Sequence, residues 1–321
     1  MSNFLIPLSV PKKQRSRYRH NFKLATAGTG KLFLFAGDQK IEHLNEDFYG
    51  QGISPEDASP DHLFKIAAQI PGAVLAAHIG LLARYGQEYR QLPFILKLNG
   101  KSPLYDKADE LESRAWLKPK KFIDFVKQSN LKIVGLGYTI YLGGAKEANM
   151  LQEAAETIRV AHEAGLLAII WMYPRNAKIK NEDDLHLIAG GAGVAACLGA
   201  DFVKVKYPYK TINSDKKAEA FKEVTQAAGR TGVICVGGSQ QDAEGLIRHL
   251  IRQLHNGSVG IAIGRNIHQR SLAEASALGK AITAVLHRQA NLQEAINILK
   301  NKKLSKRKAR HANKGKILGL F

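Results

Sequence analysis

A lysine in a short apolar segment is the strongest candidate for covalent chemistry in this sequence. Alternation along an extended strand places Lys204 and Lys206 on one face and two valines on the other. Because valines suit a covering layer of helices, we expect Lys204 to point inward. A desolvated ammonium beside a second cation, Lys206, has a lowered pKa, which frees the amine to attack a carbonyl carbon. The same spacing is also compatible with a structural ion pair, for which Asp38 is the candidate partner.

Two aromatic residues on the preceding strand are candidates for proton transfer. Trp171 and Tyr173 are two positions apart, so they share one face of that strand. A phenol near the amine of Lys204 can move protons while a Schiff base forms and a C–C bond breaks. The alternative is an aromatic pair that only fills the core.

Two glycine turns in the last third of the chain are typical of phosphate binding. They read Gly237-Gly238-Ser239 and Gly264-Arg265. Glycine turns offer bare backbone N–H groups, and a helix N-terminus and a cation complete an anion site. Either turn alone is weak evidence, but on consecutive strands the two predict a phosphate site.

The cysteines and histidines favour no metal chemistry. Cys197 and Cys235 lie in apolar runs and outside any CxxC spacing, so we expect two buried, reduced thiols. The eleven histidines show no clustered zinc-ligand spacing. The sequence therefore predicts no metal site.

These candidate residues lie at the ends of several expected strands, so the fold must bring those strand ends together. Between residues 31 and 290, short apolar runs alternate with longer amphipathic segments, as expected of parallel strands covered by helices. The expected strands are Leu32–Ala36, Ala73–Ala77, Phe94–Leu98, Ile133–Leu136, Ala168–Met172, Phe202–Val205, Val233–Val236 and Gly260–Ile263. The expected helices include Leu63–Gln69, Pro119–Gln128, Ala145–Ala164, Asp183–Leu198, Asp215–Ala228 and Asp242–Leu254.

Eight such units predict a (β/α)8 TIM barrel. A doubly wound sheet would want a GxGxxG turn after the first strand, where this sequence reads Ala-Gly-Asp-Gln. We predict a basic N-terminal extension over 1–30, the barrel over 31–290 and a helical, basic C-terminal extension over 291–321. Catalytic groups of a barrel follow its strand ends, and the long connection from Gln39 to Pro60 is expected to lie over the barrel mouth.

The net charge of +19 is unevenly distributed. Residues 300–316 contain nine Lys or Arg and no acid, and a second basic run precedes Asp38, the first acidic residue. Such blocks can bind nucleic acid by counterion release, but they also occur as solvated tails. No aromatic residue interrupts the C-terminal run, so base stacking has little support. Nucleic-acid binding through the tails is thus open but not favoured.

No segment approaches the roughly 20 apolar residues of a membrane span. The short apolar patch at residues 4–8 precedes its charges, which is the wrong order for a signal peptide. We therefore expect a cytoplasmic protein without a membrane partner.

Five segments spread over residues 31–290 together carry a family resemblance. They are Gly37-Asp38 with Glu42-His43, the stretch Trp171-Met172-Tyr173-Pro174-Arg175, residues 199–207 reading Gly-Ala-Asp-Phe-Val-Lys-Val-Lys-Tyr, Val236-Gly237-Gly238, and residues 260–266. This set resembles archaeal-type class I fructose-bisphosphate aldolases, which are Schiff-base enzymes on a TIM barrel. The sequence departs from that family after the first strand, where Asp38-Gln39-Lys40 replaces the usual Asp-His-Gly.

The resemblance implies a metal-independent aldehyde-lyase. It would reversibly cleave fructose 1,6-bisphosphate to dihydroxyacetone phosphate and glyceraldehyde 3-phosphate, with no cofactor. The implied catalytic residues are Lys204 as the Schiff-base lysine, Tyr173 as the acid/base and Asp38 after the first strand. The implied substrate and phosphate contacts are Trp171, Lys206, Gly237, Gly238, Ser239, Gly264, Arg265, His43 and Lys97. A small sugar phosphate is the expected partner, and we expect a homo-oligomer, since barrels of this kind often assemble.

Three alternatives share these motifs. One is a sibling lysine-dependent synthase or transaldolase that acts on another phosphorylated ketose. The second is a barrel without chemistry that binds nucleic acid through its basic tails. The third is a non-covalent isomerase in which Lys204 is only electrostatic.

Overall fold

Eight parallel strands close into a barrel in the computed structural model, which describes residues 5–104, 111–208, 214–237 and 242–300. The strands pair in chain order, and the last pairs with the first. This arrangement confirms the predicted (β/α)8 fold. The strands are β1 Leu32–Ala36, β2 Ala73–His78, β3 Pro93–Lys97, β4 Lys132–Leu142, β5 Leu167–Pro174, β6 Phe202–Val205, β7 Gly232–Val236 and β8 Gly260–Ile263.

Helices connect the strands and cover the outside of the barrel. They are α1 Arg15–Ala25, α2 Gln39–His43, α3 Asp61–Ala68, α4 Ile79–Tyr85, α5 Pro119–Ser129, α6 Glu147–Glu163, α7 Leu185–Leu198, α8 Asp215–Ala218, α9 Lys222–Ala228, α10 Ala243–His255, α11 Arg265–His268 and α12 Leu272–Arg288. Residues 292–300 are also helical. In the described ranges, no helix combines the length and the apolar composition that crossing a bilayer requires.

The strands are apolar on both faces because each face has its own core. Leu32 and Leu34 of β1 pack in the barrel interior, whereas Phe33 and Phe35 pack between the sheet and the helices. The same alternation on β6 turns its two valines outward and Phe202 inward. Lys204 therefore points into the barrel, as the sequence pattern predicted.

The N-terminal helix α1 closes the floor of the barrel. Tyr18 is fully buried in the interior cluster, and its hydroxyl donates to Asp201, which immediately precedes β6. The other oxygen of Asp201 accepts from the Ala168 backbone N–H at 2.7 Å and lies 3.1 Å from His162 Nε2. Asn21 adds a hydrogen bond of 2.7 Å to the Gly165 carbonyl. Residues 15–25 are thus part of the packed barrel, and the opposite end is the open one.

The long connection after α2 is fastened beside the open end, against α11. Asp57 Oδ2 lies 2.6 Å from His268 Nδ1, and both side chains are fully buried. Gln269 adds two hydrogen bonds, one from its amide to the Asp47 carbonyl and one from the Ser54 N–H to its own carbonyl, each of 2.9 Å. The connection therefore borders the barrel mouth on the side of β8.

Candidate active site

A cavity of about 460 Å³ opens at the carboxyl ends of the strands. Its volume falls in the range of about 300–1,000 Å³ that is usual for small-molecule sites. Its walls come from the segments after β1, β5, β6, β7 and β8, with Tyr141 from the end of β4. The lining residues are Ala36, Gln39, Glu42, His43, Tyr141, Tyr173, Arg175, Glu182, Asp183, Lys204, Lys206, Tyr207, Val236, Gly237, Ala262, Gly264 and Arg265.

Lys204 projects from β6 into the base of this cavity. Its side chain is nearly buried, and its Nζ lies 5.1 Å from the centre of the Trp171 ring. Among the described residues, none forms a hydrogen bond or a close ion pair with this nitrogen. An amine that is buried, unpaired and open to a cavity is placed to react with a bound carbonyl compound.

Burial lowers the pKa of Lys204, because an ammonium loses hydration there. The carboxylates of Asp38 and Glu42 oppose this effect, and the cations Lys97 and Arg265 reinforce it. The net direction is downward, which increases the fraction of neutral, nucleophilic amine at a given pH.

Lys97, at the end of β3, is the cation that lies under the cavity. It is fully buried, and its Nζ donates to the Asn99 carbonyl at 2.7 Å and lies 3.8 Å from Asp38 Oδ2. The same Nζ stands 5.2 Å from the Trp171 ring, so one indole faces two lysines. Lys97, Trp171 and Asp38 are buried and are not among the residues that line the cavity. Their predicted roles toward the substrate stay predictions.

Lys206 does not act as the neighbouring cation that the sequence pattern suggested. It lies one residue beyond the end of β6, where its Nζ is 2.8 Å from Asp183 Oδ1 and 3.6 Å from Glu182 Oε2. Asp38, the candidate ion-pair partner of Lys204 in the alternative interpretation, has its close contact with Lys97 of β3 instead, although Lys204 also lowers its pKa. Strand alternation tells which face of a strand each side chain is on. It does not tell which residues of other segments that side chain will contact.

Two carboxyl groups near the amine, Asp38 and Glu42, have pKa values that are shifted in opposite directions. Burial raises the pKa of Asp38, but the cations Lys204 and Lys97 outweigh it, so the net pKa lies below its usual value. Burial raises the pKa of Glu42, and the cations only partly offset that. Asp38 is therefore held ionised, while Glu42 takes up a proton more readily. Asp38 Oδ1 and Glu42 Oε1 are both buried without a hydrogen bond within the described structure.

Tyr173 lines the cavity from β5 beside Tyr141, with ring centres 6.1 Å apart. Burial raises its pKa well above the usual value, and the nearby carboxylates of Glu42 and Asp38 raise it further. The phenol therefore holds its proton at neutral pH and can donate it to a developing alkoxide or hydroxide.

The glycine turns border the cavity, but at least one of their backbone N–H groups is already hydrogen-bonded within the protein. The Gly237 N–H donates to the Ala262 carbonyl at 2.9 Å, and the Gly237 carbonyl accepts from Asn266 Nδ2 at 3.1 Å. Gly264 faces Gln39 so closely that an added Cβ would lie 1.9 Å from Gln39 Oε1. The Gln39 side chain would have to move before a larger residue could stand there. Gly238 and Ser239 lie outside the described residues.

A small cluster of charges lies at the mouth beside these turns. Arg265 Nε is 3.7 Å from Asp47 Oδ2, and His43 Nδ1 is 3.2 Å from the same oxygen. Both basic residues line the cavity. Their contact with the substrate stays a prediction.

Sequence reasoning missed several lining residues, above all the acids. Glu42 is one helical turn beyond Asp38, so the i,i+4 spacing could have placed both on one face of α2. Glu182 and Asp183 follow Arg175 in the loop after β5, but which basic residues they would meet had no local signal. In the described portions of the chain, no group of three His, Cys, Asp or Glu side chains is arranged to hold a metal ion.

Comparison with known proteins agrees with this geometry. Residues 32–270 match the model of the DeoC/LacD family aldolases. The fructose-bisphosphate aldolase/6-deoxy-5-ketofructose 1-phosphate synthase of Methanocaldococcus jannaschii is 48% identical over 294 residues, which cover 91% of this chain and 93% of that protein.

Two solved structures are also similar. Fructose-bisphosphate aldolase from Slackia heliotrinireducens superposes with a TM-score of 0.89 at 43% identity, covering 94% of this chain and 95% of that one. An archaeal fructose-1,6-bisphosphate aldolase, whose catalytic lysine carries the carbinolamine intermediate, gives a TM-score of 0.72 at 29% identity, covering 84% and 99%. The chain therefore belongs to the DeoC/LacD aldolase family, and it is an aldehyde-lyase related to the Schiff-base, class I fructose-bisphosphate aldolases.

Proposed function

We propose that this enzyme reversibly cleaves fructose 1,6-bisphosphate to dihydroxyacetone phosphate and glyceraldehyde 3-phosphate through a Schiff base on Lys204. The observation that carries the proposal is a buried, unpaired amine at the base of a cavity lined by hydroxyl, carboxyl and cationic groups. The sugar phosphate is also the substrate named for the similar solved structures.

The bond changes follow from the position of the amine. The neutral Nζ of Lys204 adds to the ketone carbon C2 to give a carbinolamine, which loses water to form an iminium ion. The C3–C4 bond then breaks, its electron pair moves into the iminium to form an enamine, and the C4 hydroxyl loses its proton to become an aldehyde. Protonation of the enamine at C3 and addition of water release dihydroxyacetone phosphate and restore the amine.

Three side chains would move the protons. Tyr173, protonated at neutral pH, donates its proton to the hydroxyl that leaves the carbinolamine as water. Its phenolate then takes up the proton that Asp38 removes from the C4 hydroxyl, and passes it to C3 of the enamine. Asp38 balances the positive iminium and, as the sequence analysis expected, orients or deprotonates the C4 hydroxyl. Glu42 lines the cavity near both and is the second carboxyl within reach of that hydroxyl.

The phosphate on C1 would lie at the turns after β7 and β8. Gly237, Gly264 and Arg265 line that side of the cavity, and His43 stands beside Arg265 at Asp47. Lys206, also predicted as a phosphate contact, lies at the other end of the cavity with Asp183. The expected contacts of Gly238 and Ser239 remain part of this proposal.

Reductive trapping tests the covalent step. Borohydride added with dihydroxyacetone phosphate should leave a stable adduct on the peptide that contains Lys204, located by mass mapping. Lys204→Met should abolish both the adduct and the cleavage activity, whereas Lys222→Met, an exposed lysine on α9, should retain both. An adduct on Lys206 instead would move the chemistry to another residue, and no adduct with any ketose phosphate would refute the proposal.

A second activity is favoured by the name of the Methanocaldococcus jannaschii relative. Division of 6-deoxy-5-ketofructose 1-phosphate between C3 and C4 gives dihydroxyacetone phosphate and a three-carbon keto-aldehyde without phosphate. The same enamine on Lys204 could add to that aldehyde in the reverse of cleavage. Incubation of the enzyme with fructose 1,6-bisphosphate and the keto-aldehyde, followed by product analysis, distinguishes a bifunctional enzyme from a simple aldolase.

A further inference from the structure

One end of the cavity carries cations that are already matched by acids. The guanidinium of Arg175 forms two parallel bonds with Glu182, Nε to Oε1 at 2.6 Å and Nη2 to Oε2 at 2.9 Å. Lys206 Nζ lies 2.8 Å from Asp183 Oδ1. All four residues line the cavity. Bidentate, charge-assisted pairs of this kind are the strong ones among surface contacts.

These pairs lie on the far side of Lys204 from the glycine turns. Arg175 and Glu182 follow β5, the turns follow β7 and β8, and Lys204 is on β6 between them. A ketose joined to Lys204 through C2, with its C1 phosphate at the turns, extends C4 to C6 toward β5. The paired charges therefore meet the part of the substrate that leaves as the aldehyde.

We propose that Glu182 is a specificity-determining residue that holds Arg175 and thereby lets the site accept aldehydes both with and without a phosphate. This inference rests on the proposed function. A phosphorylated aldehyde must draw Arg175 away from Glu182, so the gain from the new pair is offset by the loss of the old one. An unphosphorylated aldehyde leaves the pair intact, so the guanidinium of Arg175 keeps its partner.

The surroundings allow such an exchange of partners. The backbone of Arg175 is fixed by its N–H bond to the Leu142 carbonyl at 2.8 Å, and its guanidinium lies 5.9 Å from the Tyr141 ring centre. The Glu182 side chain is about one-third exposed, at 33%. Its carboxylate can therefore turn toward water when a phosphate takes its place, while the arginine keeps its anchor.

The test compares two ketoses that differ only in the second phosphate. The ratio of kcat/KM for fructose 1,6-bisphosphate to kcat/KM for fructose 1-phosphate should rise about tenfold in Glu182→Gln, the effect of losing one competing charged hydrogen bond. Arg175→Gln should lower the same ratio. Glu156→Gln removes a glutamate that pairs with Arg159 on the outer helix α6, and should leave the ratio unchanged.

The outcomes separate this inference from the aldolase proposal. An unchanged or lower ratio in Glu182→Gln overturns the role of Glu182, and an equal loss with both ketoses does so too, since it would place Glu182 in catalysis. Trapping of dihydroxyacetone phosphate on Lys204 involves no aldehyde. That adduct in Glu182→Gln therefore reports on the Schiff base whether or not the specificity changes.

Discussion

At the residue scale, the chemistry depends on an uneven distribution of charge under the cavity. Asp38 contacts Lys97 at 3.8 Å, while Lys204 stays free of close ion pairs in the described structure. If Asp38 instead bound Lys204 closely, the amine would remain an ammonium and would not attack a carbonyl. Lys97 thus shares the carboxylate of Asp38 with Lys204 and adds a repulsive charge near the nucleophile.

Replacement of Lys97 by methionine, which keeps much of its length and apolar stem, should shift the pH dependence of cleavage. Lys97 lowers the pKa of both Lys204 and Asp38, so its loss raises both. The amine then stays protonated, and the carboxyl stays neutral, up to a higher pH. The acidic limb of the kcat/KM profile should move to higher pH, and activity at pH 7 should fall about tenfold for each unit of that movement.

Lys65→Met is the matched control for this measurement. Lys65 also pairs with an aspartate, Asp61 at 2.7 Å, but on an exposed face of α3. Its pH profile should match that of the wild type. A Lys97→Met profile with an unmoved acidic limb would show that Lys97 has no electrostatic effect on the reaction.

At the element scale, the floor helix α1 stabilises the barrel at the end opposite the chemistry. Tyr18→Phe removes the hydroxyl that donates to Asp201 and leaves a carboxylate oxygen short of one partner. We expect the free energy of unfolding in urea to fall by about 1–3 kcal/mol, with kcat close to that of the wild type. Tyr49→Phe is the control, because the Tyr49 side chain is 68% exposed. It should change neither the free energy of unfolding nor kcat. A stable Tyr18→Phe protein with impaired kcat would mean that the floor communicates with the site.

The strands show what local pattern can and cannot establish. Each expected strand is present, because apolar runs buried on two faces are distinctive, but β4 continues to Leu142, well past the expected Ile133–Leu136. Gly135 and Gly137 interrupt the apolar run there, and the space beside Gly137 is filled by Trp171, 2.5 Å from where a Cβ would lie. β4 pairs with β5 along the whole of this extension, up to Leu142 opposite Pro174, and the sequence of β4 alone does not reveal that partner.

In the helices and the site, too, local features were predictable from the sequence and contacts between distant residues were not. The helix expected over Asp215–Ala228 is divided into α8, a 3-10 turn at Glu219–Phe221 and α9. The inward direction of Lys204 was predictable from alternation within one strand. The contact of Lys97 with Asp38 was not, because it joins β3 to the segment after β1, whose approach is decided by the closed barrel. The contact of Arg175 with Glu182 was not predictable either, because it depends on how the loop after β5 folds back on itself.

At the scale of the whole molecule, the net charge of +19 should assist an anionic substrate. Salt shortens the range of that attraction, from about 10 Å at 0.1 M to about 3 Å at 1 M. We expect kcat/KM for fructose 1,6-bisphosphate to fall as sodium chloride is added, while kcat changes little. The slope should be shallower for fructose 1-phosphate, which carries one phosphate fewer. Equal slopes for the two substrates would contradict this electrostatic origin.

The indole between the two lysines also gives the protein an optical probe of its own reaction. The chain has two tryptophans, Trp171, which is 1% exposed, and Trp116, which is 45% exposed. Indole emission responds to nearby charge, and conversion of the Lys204 amine to an iminium changes the charge 5.1 Å from the Trp171 ring. In a Trp116→Phe background, stopped-flow fluorescence could therefore follow formation and loss of the covalent intermediate in real time, without any added dye.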